Sequence, residues 1–135
     1  MTDPELVAKK LAFIETCVRE LRTLAHPERI SGDLREERFV EHTLQLAIQA
    51  ALDVGSHIVS DDRLGEPETG RDVFRLLGRA GYVPAELLGR LEQMAGFRNV
   101  VVHLYQDVDL GIVRDVVENH LGDLLDFVAA VRRRL

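Results

Sequence analysis

The chain has 135 residues, 46% of them apolar, with 17 basic against 23 acidic side chains and a net charge of −6. That length suits one domain covering residues 1–135, and the acidic balance excludes a surface that coats nucleic acid indiscriminately, leaving only a small local phosphodiester site open. No apolar run approaches the ~20 residues of a bilayer span, and "MTDPELVAKK" lacks the basic-then-apolar order of a signal peptide, so a cytoplasmic protein without membrane contact is expected.

Aromatic residues are only 5% and Trp is absent, so the core must come from Leu, Val, Ile and Ala, which suits a helix bundle better than a β-sandwich. Asp3 and Pro4 form a helix start, an N-cap followed by a first-turn proline. Val7, Leu11, Ile14, Val18, Leu21 and Ala25 then recur at heptad-like spacing. The lone Cys17 falls inside this helix and reads as a buried thiol. "AHPERISGD" (25–33) breaks the pattern. A second helix is expected from about 34 to 59, with Leu44, Ile48, Ala51 or Leu52, Gly55 and Ile58 as its stripe. The loop "SDDRLGEPETG" (60–70) follows, and Thr69 with Asp72 resembles a capping box that opens a short helix over 70–80. After the turn "GYVP" (81–84), a fourth helix covers 84–105. "QDVDLG" (106–111) breaks again, and Asp109 caps a last helix that carries Val113, Val117, Leu121, Leu124, Val128, Val131 and Leu135 before closing on "RRRL". Those final arginines suit the negative end of the helix dipole. The expectation is an all-α, up-and-down bundle of four main helices plus one short one. The heptad seams of its terminal helices ask for more burial than so small a core supplies, so a homodimer is expected.

The stretch "GFRNVVVHLYQD" (96–107) stands out, because Arg98, Asn99, His103 and Tyr105 crowd around three valines. At about 100° per residue, Leu87, Leu91, Met94, Ala95, Val102 and Tyr105 fall within roughly 60° of Arg98. Phe97, Val100, Val101 and Leu104 occupy a sector near 200–300°, and Asn99 and His103 one near 100–140°. The buried stripe therefore changes direction near Gly96. Either the helix bends there, or it continues and carries Arg98 and Tyr105 into a partly buried groove. In both cases Arg98, His103 and Tyr105 can converge. His titrates near neutrality and can move a proton at a ribose hydroxyl or a leaving oxygen. Arg stays charged and offers a fixed fork of donors to phosphate oxygens. Together they suit metal-free cleavage of RNA, whereas an ordinary core-edge Arg, a satisfied His and a packed Tyr would look the same by spacing alone.

"GFRNVVVHLY" and the upstream "RFVEHTLQLAIQAALDVGSHIVSD" (38–61) resemble the HepT-like family of the HEPN superfamily, the toxins of HepT/MntA toxin–antitoxin modules. The resemblance extends over nearly the whole chain. It implies an all-helical homodimer with metal-independent endoribonuclease activity, no cofactor, and the motifs of two protomers facing one cleft. Arg98 and His103 are then the catalytic pair, His103 as acid and base and Arg98 as phosphate binder, with Asn99 an auxiliary polar group. Tyr105 becomes the residue to which a cognate MntA-like nucleotidyltransferase antitoxin attaches AMP. An anionic adduct there would occupy the phosphate site and repel RNA.

Asp53 and His57, four apart on the second helix, can reach the motif helix as supporting groups or simply form a surface or core pair. They lack a third partner for a metal. His26 and His42 read as solvated, and His120 as a hydrogen-bonded edge histidine. The alternative function is a non-catalytic helical module whose motif binds a nucleotide or docks a nucleotidyltransferase.

Overall fold

The computed structural model describes residues 3–103 and 109–135, and of residues 100–103 the backbone alone. Among the described residues the chain is all-α: α1 (Pro4–Leu24), a 3-10 turn (Pro27–Arg29), α2 (Leu34–Asp61), α3 (Gly70–Arg79), α4 (Ala85–His103), α5 (Leu110–Asn119) and α6 (Leu121–Arg132). Short polar side chains open four of the helices by accepting from amides that the helix leaves without partners. Asp3 takes the Glu5 and Leu6 amides, and Asp33 those of Arg35 and Glu36. Thr69 takes the Asp72 amide, and Asp109 those of Gly111 and Ile112.

The expected stripes are the buried ones, except that Ala25 lies past the end of α1 as its C-cap and is half-buried. Val7, Leu11, Ile14, Val18 and Leu21 of α1, joined by Cys17, face the core, as do Leu44, Ile48, Ala51, Leu52 and Ile58 of α2. The 28-residue α2 is the axis of the bundle and packs against each of the other five helices. Gly55 lets α3 come close to it: a Cβ there would stand 2.6 Å from Val73 Cγ1 and 3.2 Å from Leu77 Cδ1. Across the core, the rings of Phe74 and Phe127 meet edge to face at 5.7 Å.

The last expected helix is in fact two. The backbone leaves helical geometry at His120 (φ −123°, ψ 2°) and resumes at Leu121. The carboxylate of Asp115 ties this corner together, accepting from Asn119 Nδ2 at 2.7 Å, with His120 Nε2 3.1 Å from its second oxygen. Val113, Val117, Leu121, Leu124, Val128 and Val131 are all buried on either side of the break, but Leu135 is exposed. The C-terminal arginines do more than complement a dipole. Arg132 forms a bidentate pair with Glu15 of α1, and the Arg134 guanidinium lies 4.3 Å from the centre of the Tyr82 ring. No described helix is long and apolar enough to cross a membrane.

Candidate active site

The arginine of the motif sits where α4 crosses α2 and the start of α3. α4 runs through Gly96 without a break, so the stripe of Leu87, Leu91, Met94 and Ala95, all buried, leads directly to Arg98 one turn later. The flexible end of the Arg71 side chain lies over Gly96, where a Cβ would make it move aside. Arg98 itself is half-buried, in a groove between Gln49, Leu52 and Ser56 of α2 and the Pro67–Gly70 segment that leads into α3.

Its guanidinium is held mainly by a neutral group. Arg98 Nη2 donates to Gln49 Oε1, and Nη1 lies 3.5 Å from Asn99 Oδ1. Gln49 Nε2 in turn donates to Asp53 Oδ1 at 2.8 Å, and Lys10 Nζ of α1 approaches Asp53 Oδ2 at 3.4 Å. Three helices thus contribute to one polar run ending on Arg98. Among the described residues the guanidinium's partners are these two amide oxygens and no carboxylate, and its Nε is buried without a partner. An arginine so arranged keeps its positive charge available.

The expected residues divide accordingly. Arg98 and Asn99 are adjacent, Asn99 being exposed. Asp53 reaches Arg98 through Gln49. His57, a turn further along α2, points elsewhere: its Nε2 lies 3.2 Å from Asp61 Oδ2 and 3.4 Å from the Asp3 amide. His103 closes α4, and its side chain lies outside the described residues, as does Tyr105 altogether. His42 is exposed, and His120 is bound at the α5–α6 corner as an edge histidine. Sequence reading missed Gln49 and Lys10. The signal for Gln49 was its spacing of four from Asp53 on a helix, which lets the two side chains meet.

A second polar cluster lies further back along α4. Arg90 Nη1 donates to the buried Asp123 at 2.9 Å, with Asp126 4.0 Å from Nη2. His120 Nδ1 stands 3.6 Å from the same Asp123. The Asn119 side chain, and then His120, hold the Asp115 carboxyl below its usual range.

The bundle is of the HEPN kind. A solved structure of the tri-AMPylated Shewanella oneidensis HEPN toxin in complex with MNT antitoxin superposes with a TM-score of 0.87 at 30% identity, over 98% of this chain and 99% of that one. The family model for ribonuclease HepT-like proteins matches residues 14–131, and the chain belongs to that family. The mRNA nuclease HepT of Shewanella oneidensis is 30% identical over 95% of this chain and 97% of its own length. The tRNA nuclease HepT of Aphanizomenon flos-aquae is 30% identical over 79% of this chain and 74% of its own.

Proposed function

We propose that this chain is the toxin of a HepT/MntA-type module: a metal-independent endoribonuclease that acts in the cytoplasm as a homodimer and is silenced by AMP transfer to Tyr105. The observation that carries the proposal is the Arg98 guanidinium, fixed by the neutral Gln49 amide and left without a direct carboxylate partner among the described residues, five positions before His103. A positive group with its charge unspent suits a phosphodiester. The membership of the chain in a ribonuclease family supports the same reading.

In this mechanism Arg98 binds the non-bridging phosphate oxygens and stabilises the charge that grows on them as the ribose 2′-oxygen attacks phosphorus. His103 takes the 2′-hydroxyl proton. The bond from phosphorus to the 5′-oxygen breaks, and that oxygen leaves protonated by the His103 facing it from the second protomer. The products are a 2′,3′-cyclic phosphate and a 5′-hydroxyl. Asn99, exposed beside Arg98, assists in holding the phosphate. The dimer is supported by Leu6, Phe13 and Leu46, large apolar side chains exposed on α1 and α2 next to Gln49 and Asp53. Silencing proceeds by attack of the Tyr105 phenolic oxygen on the α-phosphorus of ATP, with pyrophosphate leaving and the phenolic proton lost. The nucleotidyltransferase antitoxin catalyses that step.

The purified protein is expected to cut single-stranded RNA in EDTA and to leave cyclic phosphate ends. His103→Ala should abolish the cut; a His103→Ala variant that cleaves as fast as wild type rejects the mechanism. Co-expression with the antitoxin should add AMP to the intact mass, and Tyr105→Phe should remove that addition.

A further inference from the structure

We infer that Gln49 is a positioning residue for the ribonuclease reaction, orienting the Arg98 guanidinium through a directional run from Lys10 and Asp53 without cancelling its charge. The inference rests on the reading of Arg98 as the phosphate-binding group.

The direction of the run follows from donor and acceptor chemistry. An ionised carboxylate only accepts, so the Gln49 amide must turn its NH2 toward Asp53, which takes that hydrogen bond at 2.8 Å. The carbonyl end of the amide then has one orientation left, facing Arg98 Nη2, which can only donate. Lys10 of α1 approaches the far oxygen of Asp53 as a half-exposed ion pair at 3.4 Å, so it adds only modestly to the run. A carboxylate at position 49 would hold the guanidinium as an ion pair that competes with phosphate for the same charge, and would lose the hydrogen bond to Asp53 and face it as a second anion. An apolar side chain would leave a long, many-rotamer arginine stem free to wander. The neutral amide meets both needs, because it orients the guanidinium and leaves its charge for the substrate.

Three variants separate these roles when turnover of a single-stranded RNA oligonucleotide is measured in EDTA, alongside the 1H–15N signals of the Arg98 guanidinium in the full-length protein. In wild type, restricted rotation should give distinct Arg98 Nη signals. Gln49→Leu should average them and lower kcat about ten- to fiftyfold with KM changed less than about threefold, because the charge persists while its geometry is lost. Gln49→Glu should keep the Nη signals distinct and instead raise KM, because its carboxylate now competes for the guanidinium. Asp53→Asn, which lets the Gln49 amide flip, should lower kcat by about threefold. Melting temperature should be nearly unchanged in Gln49→Leu and Asp53→Asn, and slightly lowered in Gln49→Glu by the new carboxylate beside Asp53. Cleavage by Gln49→Leu within twofold of wild type overturns the inference, and so does a loss of turnover with the Arg98 signals unaltered. If wild type cuts no RNA, the functional reading fails; positioning is still decided by whether the distinct Nη signals survive in Gln49→Leu.

Discussion

α4 carries two arginines, Arg90 and Arg98, eight residues apart, and the fold treats them in opposite ways. Arg90 lies directly on the buried carboxylate of Asp123, with Asp126 and His120 close by. Its charge is spent inside the fold, where it keeps Asp123 from being a lone buried anion. Arg98 meets a neutral amide, and the nearest carboxylate on its run, Asp53, stands one residue behind it. Removing Arg90 strands a buried carboxylate, whereas removing Arg98 strands only an amide oxygen at the surface of a groove. Stability should therefore depend on Arg90 and activity on Arg98.

The largest effect should come at Arg98. Arg98→Met is expected to lower RNA cleavage about a hundred- to a thousandfold, the cost of losing one preorganised charged donor at the reacting phosphate. Its unfolding midpoint should match wild type or exceed it slightly, since the variant removes a buried Nε that has no partner. Arg98→Lys keeps the charge and loses the fork, so it should recover only a small part of the activity. Steady-state turnover with a urea melt on the same preparations reads both quantities. A clear loss of stability in Arg98→Met would erase the contrast between the two arginines.

Arg90→Met should show the reverse pattern. Asp123 has only 8% of its side chain exposed and would lose its cation, but Arg90 is 45% exposed, so solvent already screens the pair. The expected cost is about 1–2 kcal/mol, less than for a fully buried pair. Activity per folded molecule should stay at the wild-type level. Asp123→Asn added to Arg90→Met should restore part of the stability, because the stranded charge is then gone. A double mutant no more stable than Arg90→Met would mean that Asp123 is held by His120 instead.

This contrast was only partly legible in the sequence. The all-α class and the buried stripes of α1 and α2 followed from spacing, because a repeat of apolar residues maps directly onto one helix face. The division between α5 and α6 did not. It occupies a single residue, His120, with no proline, and the apolar spacing runs on across it, so periodicity has nothing to register. Arg98 was recognisable from its motif and its place on the stripe of Leu87 and Leu91. Gln49 was not, because what singles it out is contact with a helix about fifty residues away in the chain, and local spacing tied it only to Asp53. Spacing left two readings at Gly96, a bend or a continuous helix that carries Arg98 into a partly buried groove, and for Arg98 the continuous helix is the one found. The Arg71 side chain that lies over Gly96 comes from α3, and local spacing could not register it.

Gly55 tests whether the groove on the Arg98 side depends on the close approach of α3 to α2. Gly55→Ala would place a methyl group 2.6 Å from Val73 Cγ1, so α3 must shift or Val73 must change rotamer. A loss of about 1–2 kcal/mol is expected, within the usual range for an overpacked contact. Because Arg98 shares its groove with Gly70 and Val73 of α3, cleavage should fall as well. The Arg90–Asp123 pair joins α4 to α6 and should be untouched. Gly55→Ala with wild-type turnover would show that the position of α3 does not matter to Arg98.

The smallest effect belongs to the Arg90 side and appears only in acid. The Asn119 side chain and His120 hold the Asp115 carboxyl below its usual range, so the folded chain binds its proton less readily than the unfolded chain does. For a group shifted in that direction, the stabilising contribution is fully present above the unfolded pKa of about 3.9 and disappears as pH falls through the lower folded value. Asp115 is exposed, so the contribution is small. Between pH 5 and pH 3, wild type should therefore lose slightly more stability than Asp115→Asn, which has no carboxyl to titrate there. Urea melts at the two pH values give the difference. Equal losses in the two proteins would mean that the α5–α6 corner is held by the backbone hydrogen bond from the His120 amide to the Val116 carbonyl rather than by Asp115.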